Sequence, residues 1–125
     1  MLAVLLCAIP LSALAHDWEK AYDGKDMTFY IDTKSIKREG KLVSALELMD
    51  YKKSQTAAGK KYRSLVQLVY YDCSRKRRGI RHTTVYPRGM GKGKVLDSAY
   101  VEPDLQRVDR KSVGRAILDF VCDRR

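Results

Sequence analysis

Hydrophobic residues along this chain fall in short runs broken by turn residues, until the last stretch, where they line one stripe of a helix. Trp18 to Tyr22 is a first short run and Met27 to Ile31 a second, rich in β-formers; the Asp23-Gly24 between them is a strong hairpin signal. Asp32-Thr33-Lys34-Ser35-Ile36 leaves the second run through residues that favour local side-chain to backbone bonds, and Glu39-Gly40 turns the chain again. Leu42 to Tyr51 reads two ways. Leu42, Ala45, Leu46 and Met49 fit a helical stripe built from good helix formers, while the Gly turn before it and the Lys-rich polar stretch after it fit a strand. Lys52 to Lys61 is expected to be the longest loop, because Ala57-Ala58-Gly59 gives it little to pack.

The second half is plainer. Tyr62 to Cys73 is apolar on both alternating sets (Leu65, Val66, Leu68, Val69, Tyr70, Tyr71), the pattern of a central strand covered on both faces. Ser74 to Gly79 turns the chain, Ile80 to Tyr86 returns as a strand, Pro87 to Gly93 forms a loop, and Lys94 to Val101 makes a last strand. Val113, Ala116, Ile117, Phe120 and Val121 recur at helical spacing, with Ser112 or Asp109 placed to cap the first turn. The expected class is α+β: a sheet of about six strands with a C-terminal helix packed on one face.

The N-terminus changes the picture. Met1 to Ala15 is uncharged and almost wholly apolar and ends in Ala13-Leu14-Ala15, the small-x-small pattern of a signal peptidase site, directly before His16-Asp17. The run is shorter than the roughly 20 apolar residues that span a bilayer. Its competitor is a buried N-terminal helix, and no Lys or Arg precedes the apolar run as signal peptides ordinarily require. Cys7 would suit lipoprotein processing only with a small residue before it; Leu6 stands there, so Cys7 is read as discarded with the leader. About 110 residues then form one domain, 16–125, large enough for one core and too small for two. It has no transmembrane segment after cleavage.

Export makes the two remaining cysteines informative. Cys73 and Cys122 form an even pair in an oxidising compartment, which reads as a disulfide against the alternative of two unrelated buried thiols. They lie 49 residues apart, so the chain-entropy account gives a bridge about 4 kcal/mol.

Charge comes next. The chain carries a formal net charge of +10, and the uncharged leader leaves all of it on the domain. Such a balance favours anionic partners, or simply solubility. Its sharpest concentration is Arg75-Lys76-Arg77-Arg78, with Arg81 just beyond Gly79 and Lys92 and Lys94 expected nearby. Adjacent cations at a hairpin tip repel one another; a polyanion would neutralise them, and Arg forks suit phosphate, sulfate and carboxylate. The competing reading is a solvated turn. Nucleic acid is the disfavoured anion, because the leader directs the chain out of the cytoplasm.

Catalysis finds little support. The domain has two histidines, His16 at its first position and His82 in a strand, and a chain end holds a general base poorly. No Cys/His spacing suggests zinc, and no cofactor motif is present. Gly89-Met90-Gly91-Lys92-Gly93 resembles a phosphate loop but lacks Walker spacing and the following Ser or Thr, so it is read as a flexible turn. The eight tyrosines sit mostly at strand positions, where half-buried packing is the ordinary role.

In order along the chain, Trp18, Asp23-Gly24, Tyr30-Ile31-Asp32, Ser35-Ile36, Gly40, Leu48-Met49-Asp50-Tyr51, Ser64, Tyr71-Asp72-Cys73, Met90-Gly91-Lys92-Gly93 and Val121-Cys122 resemble the surface-adhesin protein E family of bacterial exported proteins. The resemblance implies an antiparallel sheet with a C-terminal helix and a Cys73–Cys122 bridge, inclines Leu42 to Tyr51 toward strand, and implies attachment to host proteins or surfaces. Similar chains often carry a Trp shortly before the last helix, where this one reads Pro103-Asp104-Leu105-Gln106. The expected function is a non-enzymatic exported binding module, periplasmic or on the outer surface. It would contact an anionic polymer or a host or envelope protein through Arg75, Lys76, Arg77, Arg78 and Arg81. The alternatives are a periplasmic inhibitor or accessory protein bound to one partner and, more remotely, a small secreted hydrolase.

Overall fold

The structure, a computed structural model, describes residues 15–125. The expected leader up to Leu14, Cys7 included, lies outside the described residues. Eight strands form one antiparallel sheet: β1 (Trp18–Asp23), β2 (Met27–Asp32), β3 (Lys37–Glu39), β4 (Leu42–Ala57), β5 (Lys60–Asp72), β6 (Arg77–Tyr86), β7 (Asp97–Tyr100) and β8 (Gln106–Arg107), followed by the helix α1 (Val113–Cys122). The strand order is β1-β2-β4-β5-β6-β7, with β3 beside β4 and β8 beside β6. The six main strands are those expected. The two additional ones are short, polar and exposed, so neither leaves a hydrophobic signal.

Leu42 to Tyr51 is strand. Val43, Ser44 and Ala45 are buried in succession, which a pleated strand achieves by covering both of its faces. β4 then runs on through the expected loop, and this is a correction. Gln55, Thr56 and Ala57 pair with Tyr62, Lys61 and Lys60, past a bulge after Asp50. Ala58 and Gly59, at φ 50° and 74°, close a two-residue turn. This arm is solvated on both sides, so the apolar alternation that marks a strand is missing although the backbone pairing is present.

One face of the sheet carries α1. Ile31, Val43, Ala45, Val69, Tyr71 and Cys73 pack with Ile117, Leu118 and Val121 into the core. Burying side chains of this size stabilises by about 1.5–3 kcal/mol each relative to exposure. Of the two candidate caps Ser112 is the one used: its Oγ accepts from Arg115 N at 3.1 Å. The buried stripe includes Leu118, so the helix is turned slightly from the expected face, and Ala116 and Phe120 sit at the stripe's edge. Cys73 and Cys122 are bonded, with α-carbons 5.8 Å apart, joining the end of β5 to the last residue of α1.

The opposite face is covered by the Gly89–Gly93 loop, which is pinned rather than flexible. Ser64 Oγ donates to Arg88 O at 2.6 Å and accepts from Gly91 N at 2.9 Å, while Met90 N donates to Asp50 Oδ1 at 2.9 Å. Gly91, at φ 65°, lies so close to Val66 that a β-carbon would stand 3.2 Å from its Cγ2. Fully buried Leu48 lies beneath. β5 is thus covered on both sides, as its two apolar sets predict.

The N-terminal stretch is tied to the sheet through Asp32. Its carboxylate accepts from His16 Nδ1 at 2.7 Å and from Asp17 N and Lys34 N at 3.1 Å each. Burial works against this carboxylate, but the three bonds outweigh it and hold its pKa below the ordinary value.

Candidate functional site

The candidate contact residues lie where β5 turns into β6. Asp72 organises that turn: its Oδ1 accepts from Ser74 Oγ at 2.9 Å and from Arg75 N at 3.1 Å. Burial raises the Asp72 pKa, yet these bonds and the charges of Arg75 and Arg77 bring it below its ordinary value. The turn proper is Cys73–Lys76, with Lys76 at φ 56°. Arg77 and Arg78 already belong to β6, and that divides the four-residue run into unlike parts.

Successive strand residues point to opposite faces, and Arg78 points inward. It donates to Glu47 Oε1 and Oε2 at 3.0 and 2.9 Å, and Tyr71 Oη donates to Glu47 Oε2 at 2.8 Å. Glu47 is 1 % exposed and Tyr71 wholly buried. Burial opposes the Arg78 charge, but Glu47, then Tyr71, outweigh it and raise its pKa. Tyr71 is pushed well above the ordinary phenol value, by burial first and the Glu47 carboxylate second. Arg81 is partly engaged as well. Its Nη1 lies 3.2 Å from both Val101 O and Glu102 Oε1, and its guanidinium sits 5.9 Å from the Tyr100 ring centre.

Arg75 and Arg77 are different: among the described residues neither has a carboxylate within ion-pairing distance. Lys76 lies 3.9 Å from Asp119 Oδ1, which also accepts from Arg115 Nε at 3.1 Å. The fold then adds cations that the sequence run does not contain. β8 sets Arg107 directly opposite Arg77 and Gln106 opposite Arg78, and Val108 N donates to Lys76 O at 2.9 Å. Lys76, Arg107, Arg110 and Arg115, with Val108 and Asp109, line a cavity of about 450 Å³. Arg107, Arg110 and Arg115 were not among the expected contact residues. Arg107 and Arg110 leave a trace in the basic character of Arg107-Val108-Asp109-Arg110-Lys111, about thirty residues from the run they join, and Arg115 leaves none.

Lys92 and Lys94 do not join them. They follow the far end of β6, which at about 3.3 Å per residue puts them roughly 30 Å from the turn. His82 Nε2 lies 2.7 Å from Ser98 Oγ, and its ring stacks on Tyr100 at 4.0 Å. That pair is exposed, and no carboxylate hydrogen-bonds to His82 among the described residues. No group of three or more His, Cys, Asp or Glu among the described residues is arranged to hold a metal ion. No helix among them is long and apolar enough to cross a membrane. Tyr71 is core, whereas Tyr100 is 72 % exposed.

The family model of surface-adhesin protein E matches residues 18–123. Protein E of non-typeable Haemophilus influenzae is similar in structure, with a TM-score of 0.62 at 16 % identity over 79 % of this chain and 71 % of that one. A second crystal form of Haemophilus influenzae protein E gives 0.64 at 13 % identity over 87 % of this chain and 96 % of that one. At such identities the likeness speaks to the fold. No curated protein matches the sequence.

Proposed function

Because the chain belongs to the surface-adhesin protein E family, we propose that it is an exported, non-enzymatic adhesin-like protein that binds through its basic end. The contact surface comprises Arg75, Lys76 and Arg77 with Arg107 and Arg110 beside them. Arg78 and Arg81 support it from behind, Arg78 by anchoring the start of β6 to Glu47 and Arg81 by holding the segment at Glu102. The observation that carries the reading is the pairing of Arg77 with Arg107 across β6 and β8. Like charges directly opposite are destabilising in a free sheet, and an anionic partner converts that cost into attraction. The partner is an anionic polymer or the acidic surface of a host or envelope protein. Cleavage after Ala15 would leave His16 as the first residue, where the Asp32 carboxylate holds it.

Binding of the exported protein to immobilised heparin, lipopolysaccharide and neutral dextran tests the reading. Retention by the two polyanions that weakens steeply with salt, with none by dextran, is the expected result. Absence of polyanion binding, together with capture of one stoichiometric envelope protein, would instead indicate a periplasmic inhibitor or accessory protein. N-terminal sequencing of the same material should begin at His16; an intact Met1 contradicts export by cleavage.

A further inference from the structure

The cavity beside the turn has a more specific chemistry than a charged surface, and we infer that it takes a single phosphate or sulfate ester group carried on a sugar-sized unit. The inference rests on the reading of the basic end as a binding surface and adds a defined pocket to it. Four basic residues from four separate segments line it: Lys76 from the turn, Arg107 from β8, Arg110 from the loop that follows, and Arg115 from the first turn of α1, with Lys76 and Arg115 sharing Asp119. A planar carboxylate presents two oxygens and is satisfied by one Arg fork. A tetrahedral ester presents three and accepts from several directions at once, which matches cations arriving from different elements.

Size supports the same class. The cavity measures about 450 Å³, within the roughly 300–1,000 Å³ of small-molecule sites and much larger than an inorganic oxyanion requires. Val108 supplies an apolar wall and Asp109 the one carboxylate of the lining. The Asp109 side chain has no hydrogen bond or ion pair among the described residues, so it is free to accept from a sugar hydroxyl. Arg115 spends its Nε on Asp119, which fixes the direction of its guanidinium, and Val108 N bonded to Lys76 O ties two walls together. The Arg77–Arg107 repulsion adds a driving force for taking up an anion at this rim.

Titration calorimetry of the exported protein with glucosamine 6-sulfate, glucosamine 6-phosphate and N-acetylglucosamine is the test. One saturable site for the esters is expected, with the neutral sugar bound about tenfold more weakly or worse. Arg107→Gln and Arg110→Gln should each weaken the ester about tenfold, whereas Arg107→Lys, which keeps charge and loses the fork, should cost only a few-fold. Arg107→Gln should melt no lower than the parent, since it removes one of two opposed like charges; Arg110→Gln, in a loop, provides an independent variant. A preference for the sulfate points to sulfated polysaccharide, and one for the phosphate to a phosphorylated lipid headgroup. If heparin binds but neither ester saturates, the pocket is overturned and the broader reading stands. Esters that bind without heparin leave the pocket and overturn the polymer reading. Equal binding of ester and neutral sugar also overturns the pocket.

Discussion

The sheet has two basic hairpin ends, and they are built differently. The β4–β5 end is a long arm bearing Lys52, Lys53, Lys60 and Lys61, closed by Ala58-Gly59 and solvated on both faces. The β5–β6 end is short, tied to α1 through Cys73–Cys122 and flanked by β8. Lys52 on the arm is occupied, donating to Gly24 O at 2.7 Å and lying 3.4 Å from Asp23 Oδ1. That neighbourhood lowers the Asp23 pKa, chiefly through the Thr28 hydrogen bond and then through Lys52. At the other end Arg75 and Arg77 have no such partner among the described residues, and the fold brings Arg107 opposite Arg77 and groups it with Arg110 and Arg115 around Lys76. A similar number of cations in sequence is thus a dispersed charge in one place and a convergent one in the other. Convergence is a tertiary property, and the proposed function rests on it rather than on the number of cations.

The largest expected effect lies beneath the basic end. Arg78→Leu leaves Glu47 buried without its cation and should destabilise by about 3–5 kcal/mol in urea unfolding, while Arg77→Gln, one residue away, should stay within about 0.5 kcal/mol. Equal effects would erase the distinction between the inward and the outward cation. Next is the covalent tie. Cys122→Ala should cost about 2–5 kcal/mol and also weaken polyanion binding, because the turn and the helix that carry the two walls are no longer joined. A smaller effect of opposite sign belongs to the arm. Ala58 sits at φ 50° before Gly59, so Ala58→Asn creates the Asn-Gly pair favoured in such turns and should stabilise by about 0.5–1 kcal/mol, with polyanion binding unchanged. A loss of binding in that variant would mean that the arm takes part.

What the sequence discloses follows the same division. The helix, the Asp23-Gly24 turn and the Cys73 and Cys122 pair are local or arithmetic signals, and each appears in the fold, the helix with its buried stripe turned slightly to include Leu118. The arm was hidden because Lys52 to Lys61 has no core to face, so pairing left no apolar alternation. The loop over Ser64 looked flexible because its glycines carry no sign of the polar partners that Ser64 and Asp50 supply from other strands. At the basic end, Arg75 to Arg78 stood out as a run, but a run does not show which member faces inward. Only the register, Tyr71 opposite Arg78 and Asp72 opposite Arg77, assigns Arg78 to Glu47 and Arg77 to the surface. The basic segment at Arg107 does not show its place beside Arg77 for the same reason: that place depends on a two-residue strand.

The central claim is that the β5–β6 end binds anions as an arrangement rather than as net charge. It is tested most directly by comparing heparin affinity across a salt series for two variants of equal charge. One replaces Arg75, Lys76, Arg77 and Arg107 by Gln; the other replaces Lys52, Lys53, Lys60 and Lys61. Loss of most binding, and of most of the salt dependence, in the first variant alone is the predicted result, since each neutralised contact contributes to the slope. Equal losses in the two would contradict the account and reduce the basic end to a solvated turn.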